Sequence, residues 1–252
     1  MARSIGVAIM TGGLKDLMSI LDDIDIVFDA TSAADHLLHN EALKSRDVLV
    51  VNLTPARVGE FFVPGTTELA KSDGFRNINM VTCGGQTSIP IISDLVASVG
   101  GAARVLSVEL VSTLASASAG PATRRNIDEY IQNTQRAISS LTGAKSKVIL
   151  VLNPAKPEII MRSSIYIEFA DPAPDMGVIT ESIKRTNLRV RKYCPGYSIE
   201  EEVVAINNST VKVGISVEST SEFFPIYAGN LDIINTAAIV AAESLSLKRA
   251  YQ

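Results

Sequence analysis

The sequence is poor in the residues that most often build disulfides and metal sites. Its 252 residues include two cysteines, two histidines and no tryptophan. Two cysteines in dissimilar contexts, behind an N-terminus without the apolar stretch of a secretory signal, do not make a disulfide framework. His36 and His39 have no cysteine or carboxylate at metal-ligand spacing, which favours ordinary polar positions on a helix. We therefore expect a reducing, cytoplasmic location and no metal.

Long apolar runs and runs of positive charge are also missing. No stretch reaches the roughly 18 apolar residues that span a bilayer, and the segment "AAIVAAESLSL" is short and carries Glu243. Lysine and arginine total 23 against 27 acidic residues, a formal net charge of −4, without a basic cluster. We expect neither a membrane nor a nucleic acid as a partner.

Apolar segments in residues 1–82 predict a parallel sheet. Three runs lie at residues 24–30, 47–53 and 78–82, and helical pattern separates at least two of them. Buried, apolar strands that alternate with helices are typical of a doubly wound α/β domain. Ligands of such sheets bind at the carboxyl ends of the strands, which here means residues 29–32, 54–55 and 82–84.

The pattern changes in residues 83–230 and predicts a second, α+β domain. Alternating strands are expected at 103–116, 147–152, 163–169, 198–206 and 209–218, the last two forming an antiparallel pair. Helices are expected at 126–141 and 175–186. A final amphipathic helix, 231–252, is expected to complete the first domain.

Cys83 lies in "NMVTCGGQTSIP", after an apolar run and before two glycines. A cysteine at the start of a helix can be a nucleophile, because backbone N–H groups there stabilise a thiolate and the oxyanion formed after attack. It can equally be a small buried hydrophobe, since free cysteine is among the most buried residue types. The residues around it leave both readings open.

Two further segments are candidate ligand contacts. "SASAGPATRRN", residues 116–126, runs from small residues into a helix start, where anions bind, although an ordinary strand-to-helix connection has the same pattern. Asn230 follows Gly229 just before the last helix. Its amide could reach a ligand or cap that helix, and capping is the more frequent role.

Six segments in order resemble the acetylating acetaldehyde dehydrogenases, from about Ile5 to the C-terminus. They are "DIDIVFDATSA", "VNLTPA", "NMVTCGGQTSIP", "SAGPATRRNIDEY", "NPAKPEIIMR" and "YAGNLDI". That family converts acetaldehyde, NAD⁺ and coenzyme A into acetyl-CoA and NADH during aromatic hydrocarbon catabolism. The resemblance implies a Rossmann-like, NAD-binding domain in residues 1–82 and a catalytic and dimerisation domain in residues 83–230.

The resemblance also implies roles for particular residues. Cys83 would carry the acyl group as a thioester. The residues that would contact NAD are Ser118, Ala119, Gly120, Pro121, Ala122, Thr123, Arg124, Arg125, Asn126 and Asn230. The expected partners are a second copy of the chain and 4-hydroxy-2-oxovalerate aldolase, which would supply the acetaldehyde.

The chain departs from the family pattern in two places. The family begins with a strand and a glycine-rich phosphate turn, whereas this sequence begins after that unit, and Gly12-Gly13 does not supply the fingerprint. The family also carries an aspartate after the arginine of "IIMRSS", where this chain has Ser163. A second hypothesis is therefore a shortened, catalytically impaired relative that dimerises or binds an aldolase without turnover.

Overall fold

The computed structural model describes residues 2–68, 72, 74–170, 174–200, 203–220 and 223–250. Its helices are α1 (Leu14–Ser19), α2 (Ala33–Leu43), α3 (Cys83–Ser98), α4 (Pro121–Arg125), α5 (Ile127–Thr142), α6 (Met176–Val190) and α7 (Gly229–Ala250). Its strands are β1 (Ile26–Asp29), β2 (Leu49–Asn52), β3 (Glu60–Phe61), β4 (Asn77–Asn79), β5 (Val105–Ala115), β6 (Ser146–Asn153), β7 (Met161–Phe169), β8 (Tyr197–Ile199), β9 (Val204–Ala205) and β10 (Thr210–Val217).

The first sheet contains four parallel strands in the order β1-β2-β4-β3. Its register pairs Val27 with Val50 and Val51 with Ile78. Parallel strands place their carboxyl ends at one edge of the sheet, which here carries Asp29, Asn52 and Asn79. The parallel sheet that the sequence predicts is therefore confirmed.

The second sheet is mixed and follows the order β6-β5-β7-β10-β8, with β9 paired to β10. Strands β5 and β6 run parallel, and α4 and α5 connect them. The remaining neighbours are antiparallel. An α/β fold made of a parallel sheet and an α+β unit agrees with the fold class predicted from the sequence.

Each sheet has its own apolar core. Helices α3, α5 and α6 cover one face of the second sheet, where fully buried side chains such as Ile91, Leu110 and Ile165 meet. The first sheet packs instead against α7, whose Ala237 and Ala241 lie against Val51 and Ile78. The last helix of the chain is therefore part of the core of the first sheet.

Most predicted elements are present, with shifted ends. The predicted strand at 78–82 ends at Asn79, because the positive φ of Val81 turns the chain. The predicted strand at 198–206 is interrupted: residues 197–199 and 204–205 are strands, and 201–202 lie outside the described residues. The predicted C-terminal helix begins at Gly229 and is described to Ala250, so its last two predicted residues also lie outside that range.

The two histidines flank a buried carboxylate at the end of β1. Asp29 Oδ2 lies 2.9 Å from His36 Nδ1 and 2.8 Å from His39 Nδ1. Burial by itself would raise the pKa of this carboxyl, but hydrogen bonds from His36, Thr31 and His39 hold it well below its usual range. The described residues contain no group of three or more His, Cys, Asp and Glu that could hold a metal ion. None of the described helices is long and apolar enough to cross a membrane.

Gly229, the first residue of α7, contacts the end of β10 through its backbone. A Cβ built at this position would lie 1.9 Å from the Val217 carbonyl oxygen, which is a backbone atom and cannot rotate away. A side chain here must therefore push α7 and β10 apart.

We predict that Gly229→Ala lowers the free energy of unfolding by about 3 kcal/mol, because relief of this overlap requires backbone movement. Thermal or urea unfolding measures the change. Gly120→Ala is the matched control, since a Cβ at Gly120 would meet no atom within 4 Å. Equal stability of the two variants would contradict this close approach.

Candidate active site

A sharp backbone turn places Cys83 at the start of α3. Val81 has a φ of 63°, in the left-handed region that β-branched residues rarely adopt. The Val81 N–H donates a 2.7 Å hydrogen bond to Asn79 Oδ1, which ends β4. Thr82 then caps α3 by accepting a 3.0 Å hydrogen bond from the Gly85 N–H. Cys83 is thus the first residue of a helix that begins immediately after the strand turns.

The two glycines after Cys83 are required by close contacts. A Cβ on Gly84 would lie 2.3 Å from the Tyr130 hydroxyl oxygen and 2.6 Å from Ser112 Oγ. A Cβ on Gly85 would lie 2.5 Å from Val81 Cγ1. Gly84 therefore leaves space for hydroxyl groups from β5 and α5, and Gly85 leaves space for the turn itself.

One face of α5 holds this turn in place. Asn133 Nδ2 donates to the Val81 carbonyl at 3.0 Å, and Thr134 Oγ1 lies 2.7 Å from Thr82 Oγ1. The third group is Tyr130, whose hydroxyl accepts a 2.9 Å hydrogen bond from the Gly84 N–H. Positions 130, 133 and 134 share a helix face by spacing alone. That spacing is the sequence signal that could have identified them as site residues.

The Cys83 thiol lies in a largely uncharged environment. Burial raises the pKa of this thiol, while hydrogen bonds from the Tyr130 hydroxyl and from the N–H groups of Gly84 and Cys83 act in the opposite direction. The Tyr130 hydroxyl is 3.5 Å from the sulfur. Among the described residues, no carboxylate or imidazole is hydrogen-bonded to the thiol.

Ser163 lies on β7, opposite Ser112 on β5. Its hydroxyl is 3.2 Å from Ser112 Oγ, and both side chains are fully buried between β5 and β7. Serine hydroxyls do not ionise near neutral pH, so this pair offers hydrogen bonds and no base. The position that the family resemblance assigns to a carboxylate is therefore filled by a neutral pair.

Cys83 borders a cavity of about 310 Å³ between the two sheets. The loops that follow the carboxyl ends of the first sheet's strands form one wall of the cavity. The loop after β5 forms a second wall, and the start of α7 forms a third. The residues that line it are Ala30, Thr31, Leu53, Thr54, Pro55, Val81, Thr82, Cys83, Ser118, Gly120, Thr123, Asn126, Tyr130, Phe224, Asn230, Leu231, Ile234 and Asn235.

The predicted loop contributes part of its length to this cavity. Ser118, Gly120, Thr123 and Asn126 line it, together with Asn230. Of the other predicted loop residues, Ala119 is buried and Arg125 is exposed, and neither lines the cavity. Pro121 and Ala122 open α4, and their side chains lie outside the described part of the structure.

Arg124 supports the loop from behind. Its Nε donates to the Ala119 carbonyl at 3.1 Å, and its Nη2 donates to Ser116 Oγ at 2.8 Å. The guanidinium thus stabilises the loop conformation, and its hydrogen bonds are directed at the loop's own atoms.

Asn230 joins this loop to α7. Its Nδ2 donates to the Ser118 carbonyl at 3.3 Å, whereas its Oδ1 is buried without a hydrogen-bond partner among the described residues. Asn230 lies inside the helix, one residue after its start, so it is not the helix cap. A buried, unpartnered amide oxygen beside a cavity is a natural acceptor for a ligand N–H group.

Gly12 and Gly13 lie away from the cavity. The Gly12 N–H donates to Asp16 Oδ2 at 2.7 Å, and Gly13 precedes the short helix α1. Both glycines are exposed to solvent. They form a local turn at the start of α1. This position agrees with the sequence, in which Gly12-Gly13 does not match the glycine-rich fingerprint.

A model of the prokaryotic acetaldehyde dehydrogenase dimerisation domain matches residues 83–225. Acetaldehyde dehydrogenase 1 of Azotobacter vinelandii is 40% identical over 97% of this chain and 80% of its own length. The acetaldehyde dehydrogenase of Pectobacterium atrosepticum is 42% identical over 98% of this chain and 82% of its own.

Solved structures with the same fold include aspartate semialdehyde dehydrogenase II from Vibrio cholerae. It has a TM-score of 0.61 at 11% identity and covers 88% of this chain and 78% of its own. A probable aspartate-semialdehyde dehydrogenase from Pseudomonas aeruginosa gives the same TM-score at 13% identity, over 89% and 79% of the two chains. These two structures support the fold alone. The sequence relatives and the family model show that this chain is an oxidoreductase of the acetaldehyde dehydrogenase family.

Proposed function

We propose that this chain oxidises acetaldehyde with NAD⁺ and coenzyme A to give acetyl-CoA, with Cys83 as the nucleophile. The position of the Cys83 thiol carries the proposal: it lies at the start of α3 and borders the 310 Å³ cavity. The carboxyl ends of the parallel strands form part of the same cavity, where α/β sheets bind ligands. Membership of the acetaldehyde dehydrogenase family supports the choice of aldehyde.

The proposed chemistry begins with the Cys83 sulfur. The thiolate adds to the aldehyde carbonyl carbon and forms a thiohemiacetal whose oxyanion needs hydrogen-bond donors. The Tyr130 hydroxyl and the Cys83 N–H lie beside the sulfur and can supply them. Loss of hydride from the former carbonyl carbon leaves a thioester on Cys83. A second thiol then displaces Cys83 and carries the acyl group away.

Several residues of the cavity fit the nicotinamide end of NAD. The buried Asn230 Oδ1 accepts no hydrogen bond from the described part of the chain and can accept one from the carboxamide of the ring. Ser118, Gly120 and Thr123 line the adjacent wall, and a Cβ at Gly120 would meet open space, so a ligand can approach this backbone closely. When bound there, NAD⁺ supplies the acceptor for the hydride.

Coenzyme A and an aldolase complete the proposed reaction sequence. Cys83 is only partly buried, so a thiol entering the cavity can reach a thioester on its sulfur. The family resemblance supports coenzyme A as that thiol. It also supports a 4-hydroxy-2-oxovalerate aldolase as the enzyme that releases acetaldehyde to this site.

We also propose that the chain is a homodimer that pairs through the outer face of the second sheet. Helices cover the inner face, but Val111, Ile149, Val151 and Tyr166 point the other way and remain partly or fully exposed. The register places Val111 between Ile149 and Ser164, so these side chains form one continuous surface. The family model that matches this region describes a dimerisation domain, which supports a second copy as the occupant.

The activity test mixes the protein with acetaldehyde, NAD⁺ and coenzyme A and measures NADH absorbance. We predict that Cys83→Ala lowers the rate at least about a thousandfold, because no thioester can form. Without coenzyme A, the wild-type chain should release one NADH per active site and then stop. Cys194→Ala is the control: Cys194 is fully buried, lines no part of the cavity and should be dispensable for turnover. A Cys83→Ala variant with wild-type activity would exclude the proposed nucleophile.

We predict that Asn230→Leu weakens NAD⁺ binding about tenfold, because one hydrogen bond to a buried acceptor is worth about 1 to 1.5 kcal/mol. Isothermal titration measures the affinity. Asn187→Leu is the matched control variant. Asn187 lies on α6, outside the cavity, and its Oδ1 is also buried without a hydrogen-bond partner among the described residues. If a folded wild-type chain binds no NAD⁺ at millimolar concentration, the second hypothesis of a catalytically impaired relative is favoured.

We predict that Val111→Lys converts the dimer to a monomer, because the charge would be buried without a partner between two sheets. Sedimentation velocity measures the mass. Leu188→Lys, on an exposed position of α6 that faces away from the second sheet's outer surface, should leave the mass unchanged. A Val111→Lys variant that still sediments as a dimer would place the interface elsewhere.

A further inference from the structure

The hydroxyl of Tyr130 is the one side-chain donor that the described structure places against the Cys83 sulfur. We propose that this hydroxyl stabilises the Cys83 thiolate by donating a hydrogen bond to it, and that it also fixes the Gly84 N–H beside the sulfur. The inference rests on the proposed function, in which Cys83 attacks as a thiolate. Under this proposal, a side chain of α5 takes part in the reaction of the thiol at the start of α3.

A thiolate sulfur carries no proton, so in the thiolate form the Tyr130 hydroxyl must be the donor of this hydrogen bond. The Gly84 N–H donates to the Tyr130 oxygen at 2.9 Å, so this oxygen acts as an acceptor toward the backbone. The phenolic proton is then free to point elsewhere, and the Cys83 sulfur lies 3.5 Å away, within hydrogen-bonding distance for sulfur. Two hydrogen bonds thus connect the Gly84 N–H, the Tyr130 hydroxyl and the Cys83 sulfur in series.

The position of Tyr130 is fixed from both sides. Its ring is buried, and Thr134, one turn later on α5, donates to the Tyr130 carbonyl at 2.7 Å. The absence of a Cβ on Gly84 is what allows the phenol to approach, since a Cβ there would overlap its oxygen. The two sides of the contact therefore depend on each other: a glycine on α3 and a tyrosine on α5.

Toward a thiolate sulfur, the Tyr130 hydroxyl acts only as a donor. Burial raises the pKa of this phenol well above its usual range, and the neighbouring Cys83 raises it further, so the proton remains in place at neutral pH. The groups that face the pair are the Thr82 hydroxyl and the N–H groups of Cys83 and Gly84, and none of them is charged. A partly buried thiolate with these uncharged neighbours is stabilised by such a neutral donor.

The test measures the pH dependence of Cys83 alkylation by iodoacetamide, in which the thiolate displaces iodide and forms an S–C bond. Mass spectrometry of the Cys83 peptide follows the rate, while the fully buried Cys194 reports unfolding. In Tyr130→Phe we expect the pKa of the Cys83 thiol to rise by about one unit, because a hydrogen bond to a charged group is lost. Alkylation below that pKa should slow about tenfold.

Tyr197→Phe is the matched control. The Tyr197 hydroxyl is also buried and donates to the carbonyl of Thr87 on the same helix at 3.0 Å, but it does not contact the sulfur. This variant should lose stability as Tyr130→Phe does and keep the wild-type pKa of Cys83. Equal thiol pKa values in all three proteins would overturn the proposal.

A second measurement decides the matter if Tyr130→Phe does not fold. Protein in which the six tyrosines are replaced by 3-fluorotyrosine keeps every hydroxyl but makes each phenol a stronger donor. We expect the pKa of Cys83 to fall in this protein, and an unchanged value would contradict the proposed hydrogen bond. Because alkylation requires no aldehyde, NAD⁺ or coenzyme A, a change in thiol pKa without dehydrogenase activity would support the Tyr130 contact and refute the proposed function alone.

Discussion

The candidate site depends on the hydrogen bonds that α5 makes to the turn before α3. Asn133 binds the carbonyl of Val81, Thr134 binds the hydroxyl of Thr82, and Tyr130 binds the N–H of Gly84. Three groups within residues 81–84 are thus fixed by one helix face. Loss of this face would weaken the support of the Cys83 end of α3, since β4 has already ended at Asn79.

The same turn is where the two cores meet. The strand that precedes it belongs to the parallel sheet with α7, and the helix that follows it belongs to the core of the mixed sheet. A ligand in the cavity therefore touches both units at once, through strand-end loops on one side and Cys83 on the other. This arrangement explains why the cavity lining and the proposed nucleophile come from sequence segments that share no pattern.

The periodicity of the sequence predicts both sheets well and the site only in part. Apolar runs and alternation depend on which side chains are buried, and burial leaves a strong local signal, so β1, β2, β5 and β10 are located within a few residues. Cys83 and Asn230 are singled out as candidates by their neighbours along the chain. Tyr130 is not: its spacing with Asn133 and Thr134 places it on one helix face, but its contact with Cys83 spans 47 positions and leaves no trace in the local sequence. The left-handed Val81 is missed for a related reason: propensity predicts strand there, and the surrounding side chains override it.

The left-handed φ of Val81 affects which substitutions this protein can accept at that position during evolution. A valine in the left-handed region costs about 1–3 kcal/mol of folding free energy, which the surrounding contacts must offset. A residue better suited to that φ would make the fold more robust and the orientation of Cys83 less defined. Thermostability and reactivity are therefore opposed at this single position, so selection for one would be expected to erode the other.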